Sequence, residues 1–411
     1  MFDLLHLFRR RRPKSATTDQ EVSIAGLVVE DGCHQIRAAM LTTSGTGIDL
    51  KWTLQGSISM EIPKEIAEVY TRLNAVLRGG RHQTVGMTVA TGSVNSRNSV
   101  SLQSAAETLS QLAWFGRRLA EFGDAALRRL LQRVGMPIER LLAAGFREPG
   151  LRGETEDEGW VPSSEKRSGT EDPHNTDNFS EEEDSDPAFR YCRTLADTAV
   201  LAELSGIPVI DDFAARDLAM GGRGDPLEPL ADWTLLHHEL RNRLVIDLRP
   251  ATLRYTWLPK PRSLRVHRSV LVGETPLGTD PAQSVERLSQ LVAASVPADL
   301  PIEEILLDTG DAAQDAETSF RGALSAHFPN SSTYSIRTLG VASDQRPACV
   351  AAILARFFLD RIPSNFPTLT GATAPRVLGR LTLGNAAATE RVLRFMNGEP
   401  LAARSLRSAG N

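Results

Sequence analysis

Two adjacent carboxylates, Asp211 and Asp212, are well placed in this sequence to carry chemistry. They directly follow Val209–Ile210, which is predicted to be a short buried strand, and the run Thr198–Leu204 before it has helical spacing. A carboxylate at the end of a strand is a common catalytic group in α/β folds. If it is partly desolvated, it can activate a water molecule as a general base.

A glycine pair, Gly221-Gly222, follows shortly after these carboxylates. Glycine lets the backbone approach a ligand closely, so the pair extends the candidate site. The simpler interpretation of the whole stretch is a strand, a loop and a helix cap without any ligand. In that case Asp212 would be the N-cap of a helix over Phe213–Met220, and the residues alone leave both alternatives open.

The order of residues between Asp197 and Leu227 resembles the central signature of the anhydro-N-acetylmuramic acid kinases. The positions in register are Asp197, Ala202-Glu203, Gly206-Ile207-Pro208, Asp212-Phe213, Asp217, Gly221-Gly222, Gly224 and Pro226-Leu227. A second segment, Asn365–Ala372 followed by Pro375 and Val377–Arg380, is similar to the closing segment of that family. Resemblance of decreasing quality extends from Ile24 to Leu381.

The resemblance implies an α/β fold with two ribonuclease-H-like lobes of the sugar-kinase/actin type, which flank a cleft. It also implies an ATP- and Mg²⁺-dependent reaction that phosphorylates O6 of 1,6-anhydro-N-acetylmuramic acid while water opens the anhydro bridge. This reaction belongs to peptidoglycan recycling in the cytoplasm. The expected partner is a small-molecule amino sugar, and a homodimer is possible by family.

Residue by residue, the resemblance makes Asp212 the catalytic base. The expected substrate-binding residues are Asp197, Asp217, Gly221 and Gly222. This sequence departs from the family motif at three positions, where Ala214 replaces an arginine, Arg223 a glutamine and Asp225 an alanine. The loss of the arginine removes a cation that could orient a carboxylate or a phosphate.

The segments that align with the family's nucleotide loops have lost much of their pattern. In Val29–Arg37, Glu30 replaces a glycine, and His34 and Arg37 replace two aspartates. Extra carboxylates repel a triphosphate, and the lost aspartates would be Mg²⁺ ligands. Gly32 is the nearest remaining candidate for cofactor binding in this loop.

The other loops of the nucleotide side are altered as well. In Asp247–Leu253, Arg249-Pro250 stands where the family has two glycines, and proline has no N–H for a phosphate. Glu274–Thr279 carries a proline at its third position, and the adenine-side glycines align with Asp308-Thr309-Gly310. The family's sugar-side HGQT segment is not recognisable between Leu142 and Glu148. Asp247 and Gly310 are the nearest candidates for cofactor binding, and no metal site is predicted.

Together these substitutions predict a kinase-like protein whose activity is reduced or lost. The alternative is a non-catalytic sugar-binding or scaffold protein derived from the kinase. A further alternative is a site rebuilt around the new charged residues for another phosphate donor or sugar.

Composition limits the broad class of protein. A chain of 411 residues can hold two domains, and the net charge of −5 argues against a general nucleic-acid binder. The three cysteines are far apart without metal-binding spacing, so a reducing cytoplasm is expected. The N-terminal arginines follow a short apolar run, which is the reverse of a signal peptide, and no apolar stretch is long enough to span a membrane.

The predicted organisation has four parts. These are a flexible basic tail (1–20), an N-terminal lobe (21–240), a C-terminal lobe (241–382) and a C-terminal helix and tail (383–411). Within the first lobe, 148–187 is rich in Glu, Asp, Ser, Gly and Pro, which predicts a disordered acidic insertion. A long helical region is expected over Val100–Phe122 and Asp124–Val134, with a break at Gly123.

Overall fold

Two mixed β-sheets form the framework of the protein. The computed structural model describes residues 20–30, 32–79, 102–155, 189–248, 252–261, 271–276, 285–297, 299–309 and 314–401. In this part of the chain the strands are β1 (Val22–Val29), β2 (Gln35–Ser44), β3 (Lys51–Glu61), β4 (Leu141–Arg147), β5 (Leu151–Thr155), β6 (Phe189–Arg193), β7 (Val209–Asp211), β8 (Arg243–Leu248), β9 (Thr252–Leu258), β10 (Leu271–Pro276), β11 (Glu304–Asp308), β12 (Ser332–Ser335) and β13 (Arg380–Thr382).

Helices cover both sheets and connect their strands. Their bounds are α1 (Lys64–Gly79), α2 (Leu102–Val134), α3 (Thr198–Ser205), α4 (Ala215–Leu218), α5 (Pro229–Leu236), α6 (Val285–Ser295), α7 (Gln314–His327), α8 (Arg346–Leu359), α9 (Pro367–Thr370) and α10 (Ala386–Met396). None of the helices in the described ranges is long and apolar enough to cross a membrane.

The two sheets repeat the same topology. The first has the order β13-β7-β4-β1-β2-β3 and the second the order β10-β9-β8-β11-β12. In each, three consecutive strands pair antiparallel, and two later strands add in parallel on the other side of the first strand. This is the strand order of a ribonuclease-H-like lobe. The predicted fold class, two α/β lobes of the sugar-kinase/actin type, is therefore confirmed.

The C-terminal part of the chain returns to the first lobe, which differs from the predicted lobe 241–382. Strand β13 pairs with β7, and α8 packs on β1, β2 and β4. Two glycines allow this close packing, because a Cβ atom at Gly26 would overlap the carbonyl oxygen of Ala348 and one at Gly145 that of Ala351. Helix α8 is almost entirely buried, so it has to lie between other elements.

The prediction of a disordered insertion over 148–187 is wrong for its first eight residues. Strands β5 and β6 pair antiparallel, with Leu151 opposite Arg193. Glu148, just before this hairpin, accepts hydrogen bonds from the backbone of Leu195 and Ala196. The remainder of the predicted insertion that follows β5, and nearly all of the predicted basic tail, lie outside the described residues.

The predicted helix break at Gly123 is also wrong, because α2 runs without interruption from Leu102 to Val134. A Cβ atom at Gly123 would lie 3.3 Å from the side chain of Leu201 on α3 and 3.4 Å from that of Phe146 on β4. The glycine therefore permits close packing of three elements, and its role is not to end the helix.

The close approach of α8 to the first sheet gives a direct test of this packing. Gly145→Ala should lower the free energy of unfolding by at least about 2 kcal/mol, because the new methyl group meets backbone that cannot rotate away. Gly322→Ala is the matched control, since Gly322 lies within α7 and a Cβ atom there would meet nothing within 4 Å. That control should be neutral or stabilising by about 0.5–1 kcal/mol. Equal urea midpoints for the two variants would contradict the packing argument.

Candidate functional site

The candidate site lies where β4 and β7 end, at one edge of the first sheet. The two strands are parallel neighbours, with Ala144 opposite Val209 and Gly145 opposite Ile210. Parallel strands bring their carboxyl ends to the same edge of a sheet. The residues that follow, Glu148 after β4 and Asp212 after β7, are therefore brought to a common edge.

Asp211, the last residue of β7, is buried and fixed by two partners. Its carboxylate accepts a hydrogen bond from the hydroxyl of Thr198 at 3.0 Å. It also accepts two hydrogen bonds from Arg380, at 3.2 Å from Nε and 2.7 Å from Nη2. Arg380 lies opposite Asp211 in the pairing of β13 with β7. Asp211 therefore serves as a fixed negative charge behind Asp212.

Asp212 has the features expected of a reactive group at a strand end. Its φ of 53° is in the left-handed region, which a residue other than glycine rarely adopts. Oδ1 is buried and has no hydrogen-bond partner among the described residues, and Oδ2 lies 4.0 Å from Arg380 Nη1. Burial raises the pKa of Asp212, although Arg380 opposes the shift and Asp211 adds to it.

The alternative that made Asp212 a helix N-cap is not what the structure has. The helix that follows, α4, is four residues long, and its N-cap position is Ala214, with no side-chain capping bond. Asp212 therefore does not cap this helix with its side chain, and its buried Oδ1 has no hydrogen-bond partner among the described residues. The assignment of Asp212 as catalytic base stays a prediction, and its geometry is compatible with it.

Asp217 holds the glycine loop in place. Its carboxylate is fully buried and accepts hydrogen bonds from Asn365 Nδ2 and Thr370 Oγ1, each at 2.7 Å, and from the backbone of Gly224 at 2.8 Å. A Cβ atom at Gly222 would overlap this carboxylate. Direct binding of a substrate by Asp217 stays a prediction, and it would have to displace one of these three donors.

The other predicted sugar-side residues are more exposed. Asp197 caps α3, accepting hydrogen bonds from the backbone of Ala199 at 3.1 Å and Val200 at 3.2 Å. It precedes Thr198, which contacts Asp211, so it lies close to the site. Gly221 has a φ of 78°, and a Cβ atom there would point into open space. Their role in substrate binding stays a prediction.

Glu148 is a site residue that the sequence interpretation missed. Its Oε1 accepts hydrogen bonds from the backbone of Leu195 at 2.5 Å and Ala196 at 2.7 Å, while Oε2 is buried without a partner among the described residues. Burial raises the pKa of Glu148 to about 7 against the effect of these two amides, and the charges of Asp211 and Asp212 add to the rise. The apolar run 141–147 was the signal for a strand that ends at this residue.

In the second lobe, a buried arginine lies near the carboxyl ends of the parallel strands β8 and β11. Arg346, the first residue of α8, donates to Asp232 at 2.9 and 2.8 Å, to Asp308 at 2.7 Å and to Asp247 at 3.3 Å. Asp247 and Asp308 are paired neighbours on β8 and β11. Burial alone would lower the pKa of Arg346, but the three carboxylates raise it well above its usual range.

The β1–β2 turn, which aligns with the family's first phosphate loop, is closed by contacts of its own. Glu30 and Arg37 form a salt bridge of 2.5 Å across the turn. The backbone N–H of Glu30 donates to Gln35 and that of Cys33 donates to Glu30. Gly32 lies in this turn with a φ of 86°. The predicted loop residues Asp31, Arg249-Pro250 and Gly310 lie outside the described residues.

A kinase of this type is expected to use ATP with Mg²⁺, and the described residues on the nucleotide side do not fit that group. Asp247 and Asp308 already neutralise a fixed guanidinium, and the β1–β2 turn presents a carboxylate. A divalent cation needs several free oxygen ligands, and a triphosphate needs free N–H donors. In the ranges that the structure describes, no group of His, Cys, Asp and Glu is arranged to hold a metal ion.

Comparison with known proteins finds similarity to one family. The family model described as anhydro-N-acetylmuramic acid kinase matches residues 183–250 and 275–384. The curated kinase of that name from Nitrosomonas europaea is 27% identical over 259 residues, which cover 47% of this chain and 71% of that protein. The kinase from Pseudomonas paraeruginosa is 27% identical over 263 residues, covering 48% and 71%. The chain is therefore similar to the anhydro-N-acetylmuramic acid kinases over much of its second half.

The chain is also similar to the curated anhydro-N-acetylmuramic acid kinase from Xylella fastidiosa. The two are 28% identical over 252 residues, which cover 46% of this chain and 66% of that protein. Among solved structures, a Ppx/GppA family member from Aquifex aeolicus covers 81% of this chain and 88% of its own, with 12% identity and a TM-score of 0.25. A likeness at this TM-score bears on neither the site nor the function of this chain.

The buried arginine gives a testable prediction. Arg346→Met should lower the free energy of unfolding by about 3–5 kcal/mol, because it leaves three buried carboxylates without their cation. Millimolar Mg²⁺ should then raise the thermal midpoint of the variant more than that of the wild type, as the carboxylates become available to a metal. Arg129→Met, at an exposed position on α2, is the control and should change stability little. A variant as stable as the wild type would show that the cluster does not depend on Arg346.

Proposed function

We propose that this chain binds 1,6-anhydro-N-acetylmuramic acid, or an amino sugar very like it, and that its ATP-dependent kinase activity is strongly reduced or lost. The observation that carries the proposal is the burial of Arg346 among Asp232, Asp247 and Asp308. It lies on the nucleotide side, where the family resemblance expects Mg²⁺ and phosphate.

Several features of the residues around Asp212 support binding of the sugar. Asp212 is half-buried with a free carboxylate oxygen, and the glycine loop beside it is fixed by Asp217 to Asn365 and Thr370. Both the loop and its anchors belong to segments that the family model matches. A site that is held this firmly needs little reorganisation to bind its ligand, which favours binding.

The charges on the nucleotide side support the loss of nucleotide binding. Four of the five N–H groups of the Arg346 guanidinium are bonded to carboxylates, and the guanidinium cannot leave without exposing three buried negative charges. Glu30 adds a further negative charge at the first turn, where it is paired with Arg37. A bound triphosphate would therefore meet more negative charge than the turn can compensate.

We also propose that the protein acts in the cytoplasm, in the recycling of peptidoglycan sugars. The support is its similarity to the kinases of that family and its three cysteines, Cys33, Cys192 and Cys349, which are few and far apart in the sequence. Such cysteine usage is typical of proteins of a reducing compartment.

The experiment is a measurement of ADP release by the purified protein with 1,6-anhydro-N-acetylmuramic acid and Mg·ATP. Kinases typically turn over about 1–100 times per second, and we expect at most about a hundredth of that range, with no difference from the Asp212→Asn variant. Binding of the sugar alone, measured by calorimetry, should be retained.

Two results would contradict the proposal in different ways. Sugar-dependent ADP release that Asp212→Asn abolishes would identify an active kinase with an unfamiliar phosphate site. Absence of sugar binding in a folded protein would leave the scaffold alternative in place of the sugar-binding one.

A further inference from the structure

The carboxyl group of Glu148 has no role in the site as predicted from the sequence. It is buried at the end of β4 with two backbone amides bonded to one oxygen and nothing among the described residues bonded to the other. A charge spread over both oxygens would leave Oε2 without solvation, whereas a proton on Oε2 makes the group neutral. The geometry therefore favours the carboxylic acid.

The charges around Glu148 lead to the same conclusion. Asp211, which ends β7, and Asp212, which follows it, both act on Glu148. Arg380 on β13 and Arg193 at the end of β6 act in turn on Asp212. The segment before α3 donates two backbone amides to Glu148 and carries Asp197, whose carboxylate caps that helix. Arg380 and Arg193 offset Asp211 and Asp212 as long as Glu148 is neutral. If Glu148 ionises, the buried edge of the sheet gains an uncompensated negative charge.

We propose that Glu148 is a positioning residue that holds a proton in mildly acidic solution and releases it around neutral pH, and that its protonated form keeps the sugar side of the site electrically balanced for an acidic sugar. The inference rests on the proposed function, because it concerns the same binding site. It adds that an anionic ligand binds more tightly while Glu148 is neutral.

The chemistry of the ligand explains why the proton matters. Muramic acid carries a lactyl carboxylate, so the sugar is an anion at neutral pH. An additional negative charge in a partly buried site repels such a ligand, and it also makes Asp212 harder to ionise because coupled titrations act reciprocally. A neutral Glu148 avoids both effects, and Oε1 still holds the backbone of Leu195 and Ala196 in place.

The direction of the pH dependence follows from the raised pKa of Glu148, which moves from 4.5 to about 7. The unfolded chain ionises this group near its ordinary value, and the folded chain resists ionisation. The contribution to stability is therefore complete below about pH 4.5 and is lost as pH rises to about 7. Affinity for the acidic sugar should fall over the upper end of the same range.

The test is calorimetric titration of the wild type with 1,6-anhydro-N-acetylmuramic acid between about pH 6 and about pH 8.5. We expect the dissociation constant to rise about five-fold over this range, as one extra charge in a partly screened site would produce. Glu148→Gln should show no such rise, since its side chain stays neutral. Glu139→Gln, the same change at an exposed residue, should keep the wild-type profile.

A neutral sugar of similar shape shows whether the pH dependence of the affinity comes from the charge of the ligand. With 1,6-anhydro-N-acetylglucosamine, which lacks the lactyl carboxylate, the wild-type dissociation constant should change less than two-fold, or about the precision of the titration. A parallel rise for both sugars would overturn the electrostatic explanation. Identical pH profiles for wild type and Glu148→Gln would overturn the role of Glu148.

A measurement without sugar keeps this inference distinct from the proposed function. In the wild type labelled with ¹³C at glutamate carboxyl groups, one resonance should titrate near pH 7, and it should be missing from Glu148→Gln. If no sugar binds but this resonance is present, the proposed function fails while the neutral Glu148 stands. If every glutamate titrates near its ordinary pKa, the inference is wrong. This outcome is measured on the wild type alone, so it does not depend on whether Glu148→Gln folds.

Discussion

A buried guanidinium, that of Arg346, is the interaction on which the arrangement of the two lobes depends. It begins a helix that packs on the first sheet, yet two of its partners, Asp247 and Asp308, end strands of the second sheet. The third partner, Asp232, lies on α5 between them. Removing Arg346 would leave three buried carboxylates without their cation. The lobes are thereby fixed to each other at the place where a nucleotide kinase would bind phosphate.

The two sides of the cleft have therefore diverged in different ways. Around Asp212, polar groups bond to one another, and two buried oxygens, Asp212 Oδ1 and Glu148 Oε2, have no partner among the described residues. On the nucleotide side, the described charged groups are paired with protein partners, at the β1–β2 turn and around Arg346. The proposed function rests on this contrast, because it favours recognition of a sugar over its phosphorylation.

Much of the fold could be predicted from the sequence, because its strands and helices have clear hydrophobic patterns. The strand at Val209–Ile210 and the helix over Thr198–Leu204 were predicted close to their observed bounds. Asp212 could be singled out because it follows a buried strand and a family signature surrounds it. These are local features, and local patterns are what a single sequence displays.

The remaining features depend on contacts between distant residues. Arg346 meets partners 114, 99 and 38 positions away, and no spacing rule connects an arginine to carboxylates so far along the chain. Glu148 begins a segment whose acidic composition predicts disorder, although its own carboxyl group is buried by strands that pair across that segment. The return of α8 to the first sheet is decided by glycines whose packing partners lie far away.

The most direct test of the account is a paired calorimetric titration of the wild type with the sugar and with a non-hydrolysable Mg·ATP analogue. The account predicts heat of binding for 1,6-anhydro-N-acetylmuramic acid in the absence of nucleotide. It predicts no saturable heat for the analogue, alone or with the sugar present. Saturable binding of the analogue at a dissociation constant below about 1 mM, near the upper end of the usual substrate range of enzymes, would contradict it. Arg346 would then have to leave its carboxylates when nucleotide binds.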